Sequence, residues 1–223
     1  MDPLHPFMKR FGEGLEQFGA LWNDYEIQGF ENLPTDRPVM VVLYHGFLPL
    51  DGWFFTATVY SRTGRLLHAL ADRWMFKVPG LSWVLRNGGA VPGTRQDAID
   101  FLKAGNSVLV SPALSGNKGN YKVIWGQRLG FAKVALAAGV PLVPIFTEYV
   151  DELYRSPFCD TAPFQTIYEK TRWPLVPVVG MGALPWPVKL RTWVGEPIEP
   201  RADDTAESLR DRARDPPQAL MRE

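Results

Sequence analysis

Apolar positions along this chain follow two alternating patterns. Short, nearly continuous apolar runs cover residues 38–44, 66–70, 107–111, 141–146 and 188–194. Runs of that length and density predict strands buried on both faces. Between them, residues 52–60, 95–104, 128–138 and 164–169 carry apolar side chains at helical spacing. Strand and helix in alternation predict an α/β fold, a single layered domain whose mostly parallel sheet is flanked by helices. In such sheets the site sits at the carboxyl ends of the strands.

The two ends of the chain read differently. Phe7, Phe11, Leu15, Phe18 and Trp22 recur at steps of four, four, three and four, which predicts one amphipathic helix within residues 1–24. Its apolar stripe either packs on the core or lies on a lipid surface. Residues 25–200 form the expected domain. Residues 201–223 are charged and contain prolines, and a frayed tail is expected there. Residues 173–188 carry no charge before Lys189. Pro174, Pro177, Gly180, Gly182, Pro185 and Pro187 break any helix in that stretch, so a buried or membrane-facing loop is expected. No secretory leader is expected, and no stretch reaches the roughly 18 apolar residues that a spanning helix needs.

Composition narrows the chemistry. Lys plus Arg and Asp plus Glu both number 24, so no polycationic footprint points to nucleic acid. The single cysteine, Cys159, excludes an intramolecular disulfide and an all-thiolate metal site, and is expected to be buried and inert. No metal site is expected. Eight tryptophans and twenty prolines suit an apolar interface and an aromatic core equally. Nothing in the sequence fixes an oligomeric state.

Candidate chemistry concentrates in Tyr44-His45-Gly46-Phe47-Leu48-Pro49-Leu50-Asp51. A histidine leaving a buried strand, followed by a carboxylate in the first turn of a helix, suits a general base and its orienting partner. The same residues also suit a polar helix start, with Asp51 favoured by the helix dipole and His45 incidental. His5 and His68 are expected to be structural, His68 as a core histidine with a satisfied hydrogen bond. Gly88, Gly89 and Gly93 permit close backbone approach and fit no dinucleotide fingerprint. Ser115 lacks the glycine two residues earlier that a nucleophile elbow needs, which disfavours a serine hydrolase.

Three segments in order carry a resemblance. They are Tyr44-His45-Gly46 to Asp51, then Gly88-Gly89-Ala90-Val91-Pro92-Gly93-Thr94-Arg95, then Val140-Pro141-Leu142-Val143-Pro144-Ile145. This series resembles the glycerolipid acyltransferase, or PlsC-like, family. The longer stretches Tyr121-Lys122-Val123-Ile124-Trp125-Gly126 and Leu184-Pro185-Trp186-Pro187-Val188-Lys189-Leu190-Arg191-Thr192 resemble its transmembrane protein 68 group. The resemblance implies a membrane-associated enzyme, in the endoplasmic reticulum, moving an acyl group from acyl-CoA to a mono- or diacylglycerol-like hydroxyl. It implies His45 as base, Asp51 as its orienter, and Gly93, Arg95, Ser111 and Pro112 around the substrates, while Lys118 is the residue that could replace part of the positive charge of the missing arginine. Acyl-CoA is then a co-substrate and no cofactor is needed. One departure stands out. The group pattern Ser-Pro-Gly-Gly, one residue, Arg-Glu becomes Ser111-Pro112-Ala113-Leu114-Ser115-Gly116-Asn117-Lys118. Loss of the glycine pair, arginine and glutamate leaves open a weak or inactive lipid-binding protein of the same fold.

Overall fold

Among the described residues the alternating pattern folds into one sheet of seven strands. The computed structural model describes the backbone of residues 6–45, 49–114, 129–154, 179–181 and 184–220, and the side chains of 9–43, 49–111, 129–154, 179–181 and 184–213. The strands are β1 (Glu26–Gln28), β2 (Met40–His45), β3 (Leu67–Ala71), β4 (Val91–Pro92), β5 (Ser107–Leu114), β6 (Leu142–Glu148) and β7 (Arg191–Val194). Their order is β1-β7-β6-β2-β5-β3-β4. Every neighbouring pair is parallel except β6 and β7. The described helices are α1 (Pro6–Asn23), α2 (Leu50–Thr63), α3 (Leu81–Asn87), α4 (Arg95–Lys103), α5 (Gly130–Ala138) and α6 (Ala206–Leu220).

β2 shows why the sheet is covered on both faces. Met40 and Val42 pack among Ala98 and Leu102 of α4, Phe131 and Ala135 of α5, and Leu209 of α6. Val39, Val41 and Leu43 pack instead against Phe55 and Val59 of α2, with Val143 and Ile145 of β6 beside them. Side chains alternate faces along a strand, so an unbroken apolar run is what a doubly covered strand requires.

The predicted strands and helices lie where the pattern put them, within a few residues at each end; residues 164–169 lie outside the described ones. β5 runs further than predicted, through Ser111 and Pro112 to Leu114. The pairing explains the extension. Val42 faces Val110 and Tyr44 faces Ala113, so β5 carries one residue more than β2 across this step. A bulge of that kind accommodates a proline that cannot donate to the ladder.

The tail is a correction. Residues 206–220 form α6, and its Ala206, Leu209 and Ala213 are buried against α5 and the sheet. Those three apolar residues recur at helical steps of three and four, enough to dock a helix whose other positions are charged. The N-terminal stripe is settled for three of its members. Leu15 and Phe18 pack on Phe54, Phe146 and Leu190, and Trp22 stacks on Phe18 with centroids 6.0 Å apart. The indole N–H of Trp22 donates to the Pro185 carbonyl at 3.0 Å. Asn23 donates to the carbonyls of Trp186 and Val188, so the start of the apolar strap at 185–190 is tied to α1. The Phe7 side chain lies outside the described ones.

Candidate active site

β2 ends at His45, opposite Leu114 of β5, at the carboxyl edge of the central strands. Pro49 caps α2 with φ −79° and offers no side-chain acceptor. Asp51 therefore stands in a first turn whose backbone N–H groups have no cap. The positive end of the helix dipole favours its charged form there.

Burial opposes that charge. Asp51 is fully buried, and neither of its carboxyl oxygens reaches a donor at hydrogen-bond distance and angle. Its pKa is pushed up from 3.8 to about 7, chiefly by loss of water. The backbone N–H groups of Gly52 and Asp51 and the hydroxyl of Thr147 lie near enough to hold it down in part, while the Asp151 charge adds to the rise. Gly52 makes this depth accessible. A Cβ there would stand 2.8 Å from Cδ2 of Leu43, so α2 approaches β2 as only glycine allows.

Thr147 belongs to a buried line of hydroxyls. Its Oγ1 lies 2.8 Å from Oγ1 of Thr192, which lies 3.0 Å from the Tyr25 hydroxyl. Both threonines are buried. Burial holds the Tyr25 phenol far above its ordinary range, so it stays neutral and keeps its proton.

A second corner of the same edge holds the glycines and arginines. The N–H of Gly93 donates to the Ala71 carbonyl at 2.8 Å, joining the ends of β4 and β3. A Cβ on Gly93 would stand 3.2 Å from that carbonyl oxygen. Thr94 caps α4 by accepting the Asp97 N–H at 3.1 Å. Asp97 also pairs with Arg73 at 3.6 Å. Arg95, the first residue of α4, is exposed and has no ion pair among the described residues. That leaves its guanidinium open to an anionic group at the rim.

The structure thus sets His45, Asp51, Gly93, Arg95, Ser111 and Pro112 on elements that end at, or start from, one edge of the sheet. The His45 and Pro112 side chains, Lys118, Ser115 and Cys159 lie outside the described residues, as does His5. His68 is structural: its Nδ1 sits 2.7 Å from the Gly89 carbonyl, and its ring meets Phe101 edge-on at 4.8 Å. A carbonyl only accepts, so Nδ1 carries the proton, and burial holds the pKa below the ordinary value. Among the described residues no cluster suits a metal ion.

Sequence reasoning missed Arg73 and the hydroxyl line. Thr147 did have a signature. It follows Val143 and Ile145 at strand period, on the face those two bury against α2, where a third aliphatic residue is expected. Thr192 likewise interrupts Leu190 and Val194.

The Acyltransferase family model matches residues 24–148, more than half of the chain and all of the strands β1 to β6. The chain belongs to the acyltransferase family. It is 38% identical over 207 residues to the protein of Bos taurus named "DGAT1/2-independent enzyme synthesizing storage lipids", an alignment covering 91% of this chain and 60% of that protein. The Homo sapiens protein of the same name is also 38% identical, with 91% and 62% covered. The chain therefore spans about six tenths of the length of these curated relatives. The crystal structure of the 1-acyl-sn-glycerophosphate acyltransferase PlsC from Thermotoga maritima superposes with a TM-score of 0.63 at 23% identity, over 96% of this chain and 79% of that one. At that identity the likeness speaks to the fold, which is the one the motif series implied.

Proposed function

We propose that this chain transfers a fatty acyl group from acyl-CoA to a hydroxyl of a mono- or diacylglycerol-like acceptor at a membrane surface. The observation that carries the proposal is Asp51, fully buried in the uncapped first turn of α2, six residues beyond the end of the central strand at His45. A carboxyl so far from water is maintained only where a partner needs it.

In this reading His45 accepts the acceptor's O–H proton as its oxygen attacks the thioester carbonyl carbon. The carbonyl π electrons move onto oxygen, where backbone N–H donors stabilise the charge. Collapse of that intermediate breaks the carbon–sulfur bond, and the leaving thiolate takes the proton from the His45 imidazolium. Acyl glycerolipid and free coenzyme A result, with no covalent enzyme intermediate. Asp51 holds the imidazole in one tautomer and stabilises its cation. Arg95 grips a phosphate in the polar part of the substrates, Lys118 replaces some of the positive charge lost from the third motif, and Gly93, Ser111 and Pro112 shape the cleft.

Three features support membrane contact. Trp53 of α2 is 49% exposed, two residues from Asp51. The turn Met75–Lys77 and helix α3 bury no residue, although they include Met75, Phe76, Trp83 and Val84. Exposed Arg73, Lys77 and Arg86 rim that apolar surface, a pattern that suits anionic headgroups. No helix among the described residues is long and apolar enough to cross a membrane. The contact proposed for these elements is interfacial.

Radiolabelled acyl transfer by purified wild type and His45→Ala tests this. Loss of roughly 10²- to 10⁴-fold in the variant is expected for a general base. Lipid binding by a wild-type protein without any transfer would instead favour the non-catalytic reading that the altered third motif raises.

A further inference from the structure

We infer that His68 is a positioning residue: it braces the glycine turn at Gly89 against α4, and so sets where Gly93 and Arg95 stand at the cleft. The consequence for catalysis rests on the acyl-transfer reading above; the brace itself does not.

The stretch that carries Gly93 and Arg95 has no core of its own. From His68 to Asp97 no residue is buried, while Leu67 before it and Ala98 after it are. Apolar burial therefore does not fix its course, and specific contacts have to. The chain leaves β3 at Ala71, runs through α3 and returns at Gly88 and Gly89. Gly89 turns with φ +78°, and a Cβ there would stand 2.4 Å from Cδ2 of Leu66, just before β3. The return is thus pressed onto the body of the fold as only glycine permits.

The ties along this stretch differ in strength. Val91 and Pro92 pair with Leu70 and Ala71, and the Gly93 N–H donates to the Ala71 carbonyl. Arg73 pairs with Asp97, but both side chains are well exposed, where an ion pair holds little. His68 reaches in two directions. Its Nδ1–H donates to the Gly89 carbonyl at 2.7 Å. Its ring meets Phe101 of α4 edge-on at 4.8 Å. It shares a face of β3 with Leu70, which packs on the cluster around α4. α4 is itself anchored there by Ala98, Ile99 and Leu102. One half-buried imidazole therefore joins the unanchored turn to an anchored helix, on both sides of Gly93 and Arg95 in the chain.

The chemistry of the donor makes that placement matter. Acyl-CoA carries phosphates, whereas a mono- or diacylglycerol carries none. Arg95 is exposed at the start of α4, and a planar guanidinium grips phosphate well only when its fork is aimed. A turn that shifts at Gly89 shifts Gly93 and that fork with it. Donor binding then suffers before the acyl-transfer step does.

The test compares two variants of the full chain. His68→Leu keeps apolar bulk against Phe101 and loses the donor. His68→Asn keeps a side-chain N–H the same number of bonds from Cα as Nδ1. Amide hydrogen exchange is read first, with Gly93 compared against Leu142, a core amide that donates to the Ile198 carbonyl. In His68→Leu the Gly93 amide should exchange about tenfold faster relative to Leu142, because the turn opens locally. In His68→Asn it should stay within about threefold of wild type. Unchanged Gly93 exchange in His68→Leu overturns the brace, and so does equal acceleration in both variants. Steady-state transfer is read second, with oleoyl-CoA varied against monooleoylglycerol. His68→Leu should raise KM for oleoyl-CoA about fivefold and change kcat less, since a misaimed fork loses part of a charge-assisted contact. His68→Asn should recover most of that loss. In an Arg95→Ala background His68→Leu should add little, because residues that act through one another are not additive. KM increases that multiply in the double variant overturn the link to Arg95. A wild type that transfers nothing would sink the acyl-transfer reading, while hydrogen exchange still decides the brace.

Discussion

Gly52 lies so close to Leu43 that a methyl group on its Cα would stand 2.8 Å from Cδ2 of the leucine. Leu43 is buried among Phe55, Val59 and Ile145, so it has little room to retreat. Gly52→Ala should therefore push the start of α2 away from β2. Overpacking of this size destabilises by about 1–3 kcal/mol. Urea unfolding measures that loss directly. Because Asp51 rides on the same turn, transfer activity should fall further than the stability change alone explains. A variant as stable and as active as wild type would show that the helix start is not pinned by this contact.

Asp51 gives a prediction about pH with a definite sign. Its folded-state pKa lies above its unfolded value, from 3.8 up to about 7. Between those values the folded chain binds a proton that the unfolded chain has released. The group's contribution to stability is therefore complete below about pH 4 and is lost as pH rises through about 7. Asp51→Asn removes the titration while keeping the shape. Its stability relative to wild type should rise between pH 4 and pH 8, by an amount on the order of a few kcal/mol, since each unit is worth roughly 1.4 kcal/mol. The same variant should transfer acyl groups poorly, because an amide cannot stabilise an imidazolium as a carboxylate does. Parallel stability curves for the two proteins across that range would mean that Asp51 does not titrate there.

How much of this was legible in the sequence depended on the length of each element. β2 and β6 were visible because both faces are covered and every position is apolar. β1, β4 and α3 were not, since elements of three, two and seven residues carry too little periodicity to stand out. The His45–Asp51 step could be read locally, because His45 at a strand end and Asp51 in a helix's first turn lie only six residues apart in the chain. The hydroxyl line could not, because Tyr25, Thr147 and Thr192 meet only through the β6–β7–β1 pairing, Tyr25 and Thr192 being 167 residues apart in the chain. α6 was misread for a different reason: charge density was weighed above the spacing of Ala206, Leu209 and Ala213.

That misreading has its own test. Leu209 is completely buried on the face of the sheet shared with Met40, Phe131 and Leu142. Leu209→Ala should destabilise by about 2–5 kcal/mol, the range for deleting a fully buried leucine side chain. The exposed neighbour Glu207→Ala should change stability by less than about 0.5 kcal/mol. Thermal or chemical unfolding of the two variants side by side separates a docked helix from a dispensable tail. Equal, small effects would return residues 206–220 to the frayed state expected from composition.

The apolar surface around α3 makes a prediction about where the protein meets lipid. Trp83 and Val84 are 48% and 42% exposed on a helix that buries nothing, in the segment that follows the carboxyl end of β3. By contrast Leu15, Phe18 and Trp22 of α1 are engaged with the core and strap, so that stripe has to undock before it can enter a bilayer. Co-sedimentation with vesicles containing anionic lipid should weaken markedly in Trp83→Asp plus Val84→Asp, since apolar burial contributes about 25 cal/mol per Å² and two buried carboxylates oppose insertion. Charge reversal at Arg73, Lys77 and Arg86 should weaken binding to anionic vesicles and leave neutral ones nearly unaffected, because headgroup attraction at this rim is electrostatic. Unchanged sedimentation in the Trp83 and Val84 variant, with binding lost instead on substitution of Phe11 and Leu21 in α1, would move the membrane face to α1.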